Sequence, residues 1–272
     1  MDLFCLPRFE EFRGLHIYGD VICAATDQGH VHGNCHSSPF KVVLISLCKG
    51  DDEDDTPPIA CVYSSETGMW GNIILTTDRC GFSESNPGVL VGNVLYWSSK
   101  SVTSMISSIT FLDMEDFTDD IIEFDLDRQS LDVIKGPPRL NASLTHQIIE
   151  ADNGDVGLAM LSHGRFEMWQ RKINCHGSAK WLLKKTLEMH TVLGLRPHVD
   201  GSMRGMVILG YDEDKGGIFV YLGTNVYMVQ LMSMQSRKLY ERNCAHNFHP
   251  FSSFYAPGGG CDGAEMLADC LV

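Results

Sequence analysis

Between Gly88 and Pro138 the chain reads GVLVGNVLYWSS, an insert, then IIEFDLDRQSLDVIKGPP. Val89-Leu90-Val91 and Val94-Leu95-Tyr96-Trp97 are short apolar and aromatic runs separated by Gly92-Asn93, a pair suited to a primed hairpin turn. Ile121-Ile122-Glu123-Phe124 and Leu131-Asp132-Val133-Ile134 flank the polar stretch 125–130, and Pro137-Pro138 stops the second run. Two hairpins of this length predict one small antiparallel sheet of four strands. Such a sheet cannot cover its own faces, so the rest of the chain must supply neighbours of the same kind.

It does so three more times. Before the central unit, strand signal runs through Val21–Ala25, Phe40–Leu47, Ile59–Tyr63 and Met69–Leu75, with a turn over 64–68. After it, His146–Ile149, Val156–Leu161, Arg165–Trp169 and Trp181–Leu183 form a third set, turning at Asn153-Gly154 and His163-Gly164. A fourth comprises Met206–Tyr211, Ile218–Leu222, Val226–Leu231 and Arg237–Tyr240. The third strand of each set carries an aromatic residue: Tyr63, Phe124, Trp169 and Tyr227. They recur at roughly 45–60 residues, the period of propeller blades. Each is followed by a polar turn and an outer strand bearing Trp70, Leu131, Trp181 or Leu239. No long helical pattern intervenes, which disfavours α/β folds. The expected class is therefore all-β: an incomplete β-propeller of kelch-like, four-stranded blades, about four of them recognisable, with stacked sandwiches as the alternative. Trp70, Trp97, Phe124, Trp169, Trp181 and Tyr227 are expected in the blade cores, the four tryptophans mostly buried.

The phrases GNVLYW, IIEFDLDRQSLDVI, ACVYSSETGMW and FSSFYAPG resemble the plant F-box-associated β-propeller family, most strongly its large grass set, over Asp20–Pro257. The resemblance implies that an F-box ahead of the propeller docks onto the Skp1-type adaptor of a cullin-RING ubiquitin ligase while the propeller presents substrate. Two departures stand out. There is no room before Val21 for the helical F-box or for the family's usual first blade, and the segment 98–120 is longer than the usual link. The expected organisation is an N-terminal remnant (1–20), the propeller domain (21–257) and a flexible tail (258–272), with Ala264, Leu267, Ala268 and Leu271 as a marginal helix in the tail. Adaptor binding is then expected only where an F-box is supplied elsewhere.

Charge narrows the partners. The net charge of −14 argues against nucleic acid, whose phosphates require a basic face; the basic groups at 171–172 and 180–185 read as a solvated hairpin. No basic start with a long apolar run opens the chain, and no run approaches a membrane span. Cys23, Cys48 and Cys61 sit within strand-like runs, where a thiol behaves as a small buried hydrophobe. These features predict a reducing, cytoplasmic or nuclear setting, and make the sequon at Asn141 a chance match.

Several clusters invite chemistry, and each has a plainer reading. His30, His32, Cys35 and His36 carry metal-ligating groups, but H-x-H-x-x-C-H matches no common zinc spacing; a polar loop available to a partner is the better reading. Ser64–Trp70 is similar to the Asp-box of sialidase-type propellers but lacks one residue and has Glu for Asp, so it reads as a structural hairpin. The acidic runs 51–55 and 212–214 read as solvated loop tips. There is no G-x-S-x-G, H-E-x-x-H or P-loop, and neither catalytic residues, metal nor cofactor are expected. Val102, Met105, Ile106 and Ile109 form a stripe at i, i+3, i+4, i+7, suited to a short partner-docking helix or to a loop folded on its own blade. The expected function is a non-enzymatic protein-interaction module. The competing expectations are a sialidase- or glycosidase-type propeller enzyme, with carboxylates and arginines converging in a deep central pocket, and a truncated product with no function of its own.

Overall fold

In the computed structural model the described residues are 12, 16–24, 38–47, 57–78, 80, 86–98, 120–138, 140, 145–196, 206–213 and 215–241. They form four antiparallel sheets arranged as a four-bladed β-propeller. Blade 1 holds β1 (His16–Cys23), β2 (Phe40–Leu47), β3 (Ile59–Ser64), β4 (Met69–Trp70) and β5 (Ile74–Leu75). Blade 2 holds β6 (Val89–Val91), β7 (Val94–Ser98), β8 (Asp120–Asp125) and β9 (Ser130–Lys135). Blade 3 comprises β10 (Thr145–Glu150), β11 (Val156–Ser162), β12 (Arg165–Ile173) and β13 (Ala179–Glu188), followed by the one-turn helix α1 (Met189–Val192). Blade 4 comprises β14 (Val207–Asp212), β15 (Gly217–Leu222), β16 (Asn225–Gln230) and β17 (Ser236–Glu241). In blades 2 to 4 the strands pair in chain order as meanders; blade 1 does the same through β4, and β5 pairs with β3.

The near-continuous apolar runs follow from burial on both faces. In blade 2, Leu95, Trp97, Ile122 and Phe124 pack with Val43, Ile45 and Val62 of blade 1. Their neighbours Tyr96 and Ile121 point the other way, into a core shared with blades 3 and 4, because successive strand residues face opposite sides. A third cluster of Phe12, Leu44, Ile59 and Cys61 lies on the far face of blade 1. Between β6 and β7, Gly92 sits at φ 63, the left-handed position a primed turn requires and a side chain disfavours.

One local device recurs in the turn from third to outer strand. Gly68, Gln129, Gly177 and Met234 all have positive φ, between 53 and 79. In blades 1 and 4 this residue donates its N–H to the carbonyl four residues earlier, Gly68 to Ser64 and Met234 to Gln230. Blade 2 uses a side chain instead, and blade 3 adds one to a backbone bond from Gly177 to Asn174. The Asp125 carboxylate accepts from the N–H groups of Asp127 and Arg128, and the Asn174 amide oxygen from those of His176 and Ser178. These are Asx turns, the reason Asp and Asn suit such corners.

Several strand limits differ from expectation, among them β12, which runs to Ile173 rather than Trp169. The first strand begins at His16 rather than Val21, because residues 16–23 pair in unbroken register with 40–47; the polar and glycine residues that hide it lie on an edge strand. The single strand expected over 69–75 is two pieces. Tyr63 pairs with Trp70 while Ala60 pairs with Ile74, so three steps along β3 match four along its partner, a bulge at 71–73. The outer strand of blade 3 runs over 179–188, well past Trp181–Leu183.

Candidate functional site

In a propeller the sheets are scaffold, and chemistry or binding belongs to the seams between blades and to the surfaces they leave open. Among the described residues the three seams between consecutive blades are each closed by a different polar device. Between blades 1 and 2 the indole N–H of Trp97 donates to Asp20 Oδ2 at 2.9 Å. The N–H of Gly88 donates to the same carboxylate. A Cβ at Gly88 would lie 2.3 Å from that oxygen, so only glycine allows the approach. Burial pushes the Asp20 carboxyl above its ordinary range, and the bonds from Trp97 and Gly88 hold it down in part.

Between blades 2 and 3, Arg171 on β12 pairs with Glu123 on β8 at 2.9 Å, both largely shielded. Tyr96 lies beside this pair; burial raises its phenol well above the usual range, and the Glu123 charge raises it further. Farther out, the Trp181 indole donates to the Lys135 carbonyl at 2.8 Å, and Lys135 forms an ion pair with the buried Asp120. The Asn86 amide donates to the His146 carbonyl, completing the seam at its inner end. Between blades 3 and 4, the Ile208 N–H donates to Thr145 Oγ1 at 2.8 Å, and the Glu150 N–H donates to the Tyr211 hydroxyl at 3.3 Å. Burial pushes that phenol up to about 12. Ser236 Oγ donates to the Val192 carbonyl, tying β17 to α1.

The aromatic residues singled out in the sequence sort into two groups. Trp97, Phe124 and Tyr227 are buried. Trp70, Trp169 and Trp181 are half-buried, packed at the margins of the cores. For Trp70 the neighbour is Tyr63, with ring centroids 5.4 Å apart and planes tilted by 51°. Trp70 and Trp181 lie on outer strands, where the blades splay, and the Trp169 and Trp181 indoles use their N–H groups on Glu167 and Lys135. Ser64–Trp70 is a hairpin closed by Gly68. Cys61 is buried, and burial raises its thiol to about 11. Val102, Met105, Ile106, Ile109, His30, His32 and His36 lie outside the described residues.

What the seams could do chemically is limited by their dispersal. Arg171 is committed to Glu123, Arg165 to Glu167 and Arg128 to Asp125, on separate strands and turns. No group of three His, Cys, Asp or Glu among the described residues is placed to hold a metal ion, and no helix among them is long and apolar enough to cross a membrane. Sequence reasoning missed the seam residues Asp20, Glu123 and Arg171. Their partners lie 77 and 48 positions away, and no local pattern encodes such distances. Exposed large apolar side chains include Ile17 and Val21 on β1, Met69 and Leu75 on the outer strand of blade 1, Met232 at a turn of blade 4, and Ile173, Leu182 and Leu183 on the last two strands of blade 3.

A family model described as "F-box protein At3g26010-like, beta-propeller" matches residues 29–253. None of the curated proteins matches. Similar solved structures include a functionally unknown protein from Desulfotomaculum acetoxidans, at 9% identity and a TM-score of 0.34, covering 74% of this chain and 53% of that one. HIRA(644-1017) matches at 10% identity and a TM-score of 0.31, covering 81% and 52%. A post-proline cleaving enzyme from Rickettsia typhi matches at 9% identity and 0.33, covering 78% and 27%. The chain thus spans about half or less of these proteins' lengths, and likenesses this distant bear on neither substrate nor activity.

Proposed function

We propose, from the premise that this chain belongs to the F-box protein At3g26010-like β-propeller family, that it is a non-enzymatic protein-interaction module. The observation that carries the reading is the family match across most of the chain. The dispersal of charge supports it: Arg128, Arg165 and Arg171 each pair with a carboxylate on a different strand or turn, and that arrangement holds a scaffold together. In the finer form of this reading the propeller holds a protein substrate for a ubiquitin ligase of the cytoplasm or nucleus. An F-box would make the link to the Skp1-type adaptor, and neither nucleic acid nor membrane would be a partner.

Affinity purification of the tagged chain followed by mass spectrometry tests the reading. A reproducible set of bound proteins, enriched over a heat-unfolded control, is the expected result. Recovery of no protein above that control would overturn it, as would turnover of sialoside or glycoside substrates by the purified chain. A pull-down with purified adaptor tests the ligase form separately: these 272 residues alone are expected to leave it unbound.

A further inference from the structure

The outer strand of blade 3 differs from those of the other blades. β13 spans ten residues, whereas β9 and β17 span six each and the outer strand of blade 1 is broken into two-residue pieces. One edge of β13 pairs with β12, and no described strand occupies the other. Leu182 and Leu183, 46% and 45% exposed, project to opposite faces of the sheet, and Ile173, at the end of β12 opposite Ala179, is 63% exposed. Lys180 and Lys184 are exposed and Lys185 is half-buried, and none of the three forms an ion pair with a described carboxylate. Trp169 pairs with Leu183 and Met168 with Lys185, so Lys184 is the extra residue of a bulge.

A long edge with exposed apolar side chains is a template for another strand, and lysines and bulges are the devices that stop it pairing with itself. Two copies of β13 joined antiparallel about Leu182–Leu183 would set Lys180 opposite Lys184 or Lys185. Like charges directly opposite are destabilising. An acidic strand reverses each of these contacts. The chain as a whole carries a net charge of −14 and repels such a strand, so the lysine-bearing edge is where it can settle. Leu182, Leu183 and Ile173 favour alternating apolar side chains over a phosphate backbone.

We infer that the free edge of β13 binds an acidic, extended peptide segment of a partner protein, which adds to blade 3 as a further antiparallel strand. Main-chain hydrogen bonds supply affinity in this mode, and alternate side chains supply specificity. The inference deepens the protein-interaction reading and rests on it.

The probe is a fluorescein-labelled decapeptide of alternating Glu and Val with blocked ends, followed by anisotropy at low and moderate salt, with amide exchange of the whole chain. Saturable, salt-sensitive binding is expected, with slowed exchange confined to β13. Lys180→Glu/Lys184→Glu should weaken binding about tenfold or more while its melting temperature matches the parent's. N-methylation of every second peptide amide, in the phase that faces β13, should abolish binding. Four results would each overturn the inference: no saturable binding, protection at another strand, indifference to N-methylation, or displacement by a single-stranded oligonucleotide at equal concentration. If the charge-reversed chain recovers the same proteins from lysate as the parent, the edge assignment fails and the interaction reading stands. If neither chain recovers any, both fail.

Discussion

Removing the Trp97 indole N–H while keeping most of its bulk separates the polar from the apolar role of the seam between blades 1 and 2. Trp97 is fully buried, so Trp97→Ala should cost about 3–5 kcal/mol from transfer and cavity alone. Trp97→Phe leaves most of the packing but takes the 2.9 Å donor from Asp20, leaving the carboxylate with the Gly88 N–H. A hydrogen bond to a charged group contributes about 1.5–3 kcal/mol, and that is the expected loss at pH 7. Adding Asp20→Asn should recover about 1–2 kcal/mol, because a neutral amide bears a smaller desolvation penalty. The pH dependence has a fixed sign. The folded carboxyl titrates above its unfolded value of 3.8, so its contribution is complete below that value and is lost as pH rises through the folded pKa. Trp97→Phe removes one of the bonds that lower that pKa, so the loss should extend to higher pH, and Asp20→Asn should flatten it. Urea unfolding from pH 4 to 8 of the parent, both single variants and the double variant gives the cycle. An Asp20→Asn effect of the same size in the parent and in the Trp97→Phe background, with parallel pH profiles for the parent and Trp97→Phe, would show that Asp20 and Trp97 are not coupled.

Gly88→Ala places a methyl group 2.3 Å from Asp20 Oδ2 and 2.7 Å from Trp97 Nε1; it should lower stability by about 1–3 kcal/mol, and a melting temperature within error of the parent's would contradict the tight approach. Arg171→Ala strands Glu123 in the seam between blades 2 and 3. It should cost about 2–4 kcal/mol, reduced from the fully buried case because both groups keep some water, and Glu123→Gln added to it should restore part of the loss in urea unfolding. His163 at φ 51 and Gly164 at φ 83 form the left-handed pair of the turn between β11 and β12. His163→Asn should therefore stabilise by a few tenths of a kcal/mol, up to about 1, read as a small rise in melting temperature. In native protein a thiol reagent should modify the exposed Cys175 well before the buried Cys61, whose thiolate is scarce at neutral pH; peptide mapping that finds Cys61 labelled first would refute this order.

The blades were legible because their information is local. An aromatic third strand, a short polar corner and an outer strand recur within a few tens of residues, and Tyr63, Phe124, Trp169 and Tyr227 occupy β3, β8, β12 and β16, the third strand of each sheet. Strand ends were less legible where polar residues are tolerated. His16–Asp20 lies on the edge of blade 1, where alternation is weak, and the bulge at 71–73 shows in register alone. Half-burial of Trp181 could not be read from its identity, since a large aromatic suits a core and a margin equally well when its N–H finds a carbonyl such as that of Lys135.

The seams and the open edge were illegible for opposite reasons. Asp20 meets Trp97, and Arg171 meets Glu123, only because the chain returns blade after blade, so no window of sequence holds both partners. At 180–185 all the residues are adjacent, and the basic cluster reads as a solvated hairpin until the strand limits are known. Once β13 is seen to run ten residues with a bulge at Lys184 and leucines on both faces, the same lysines acquire a second role. On a solvated loop they would need only to be charged. On a sheet edge they decide which strand can pair there, because the backbone groups offered to a partner are the same for every sequence and only the side chains discriminate. Charge on β13 is therefore where a scaffold of this kind can differ from its relatives without altering a blade, since Lys180 and Lys184 project into solvent and can change sign without disturbing the cores behind Trp169 and Trp181.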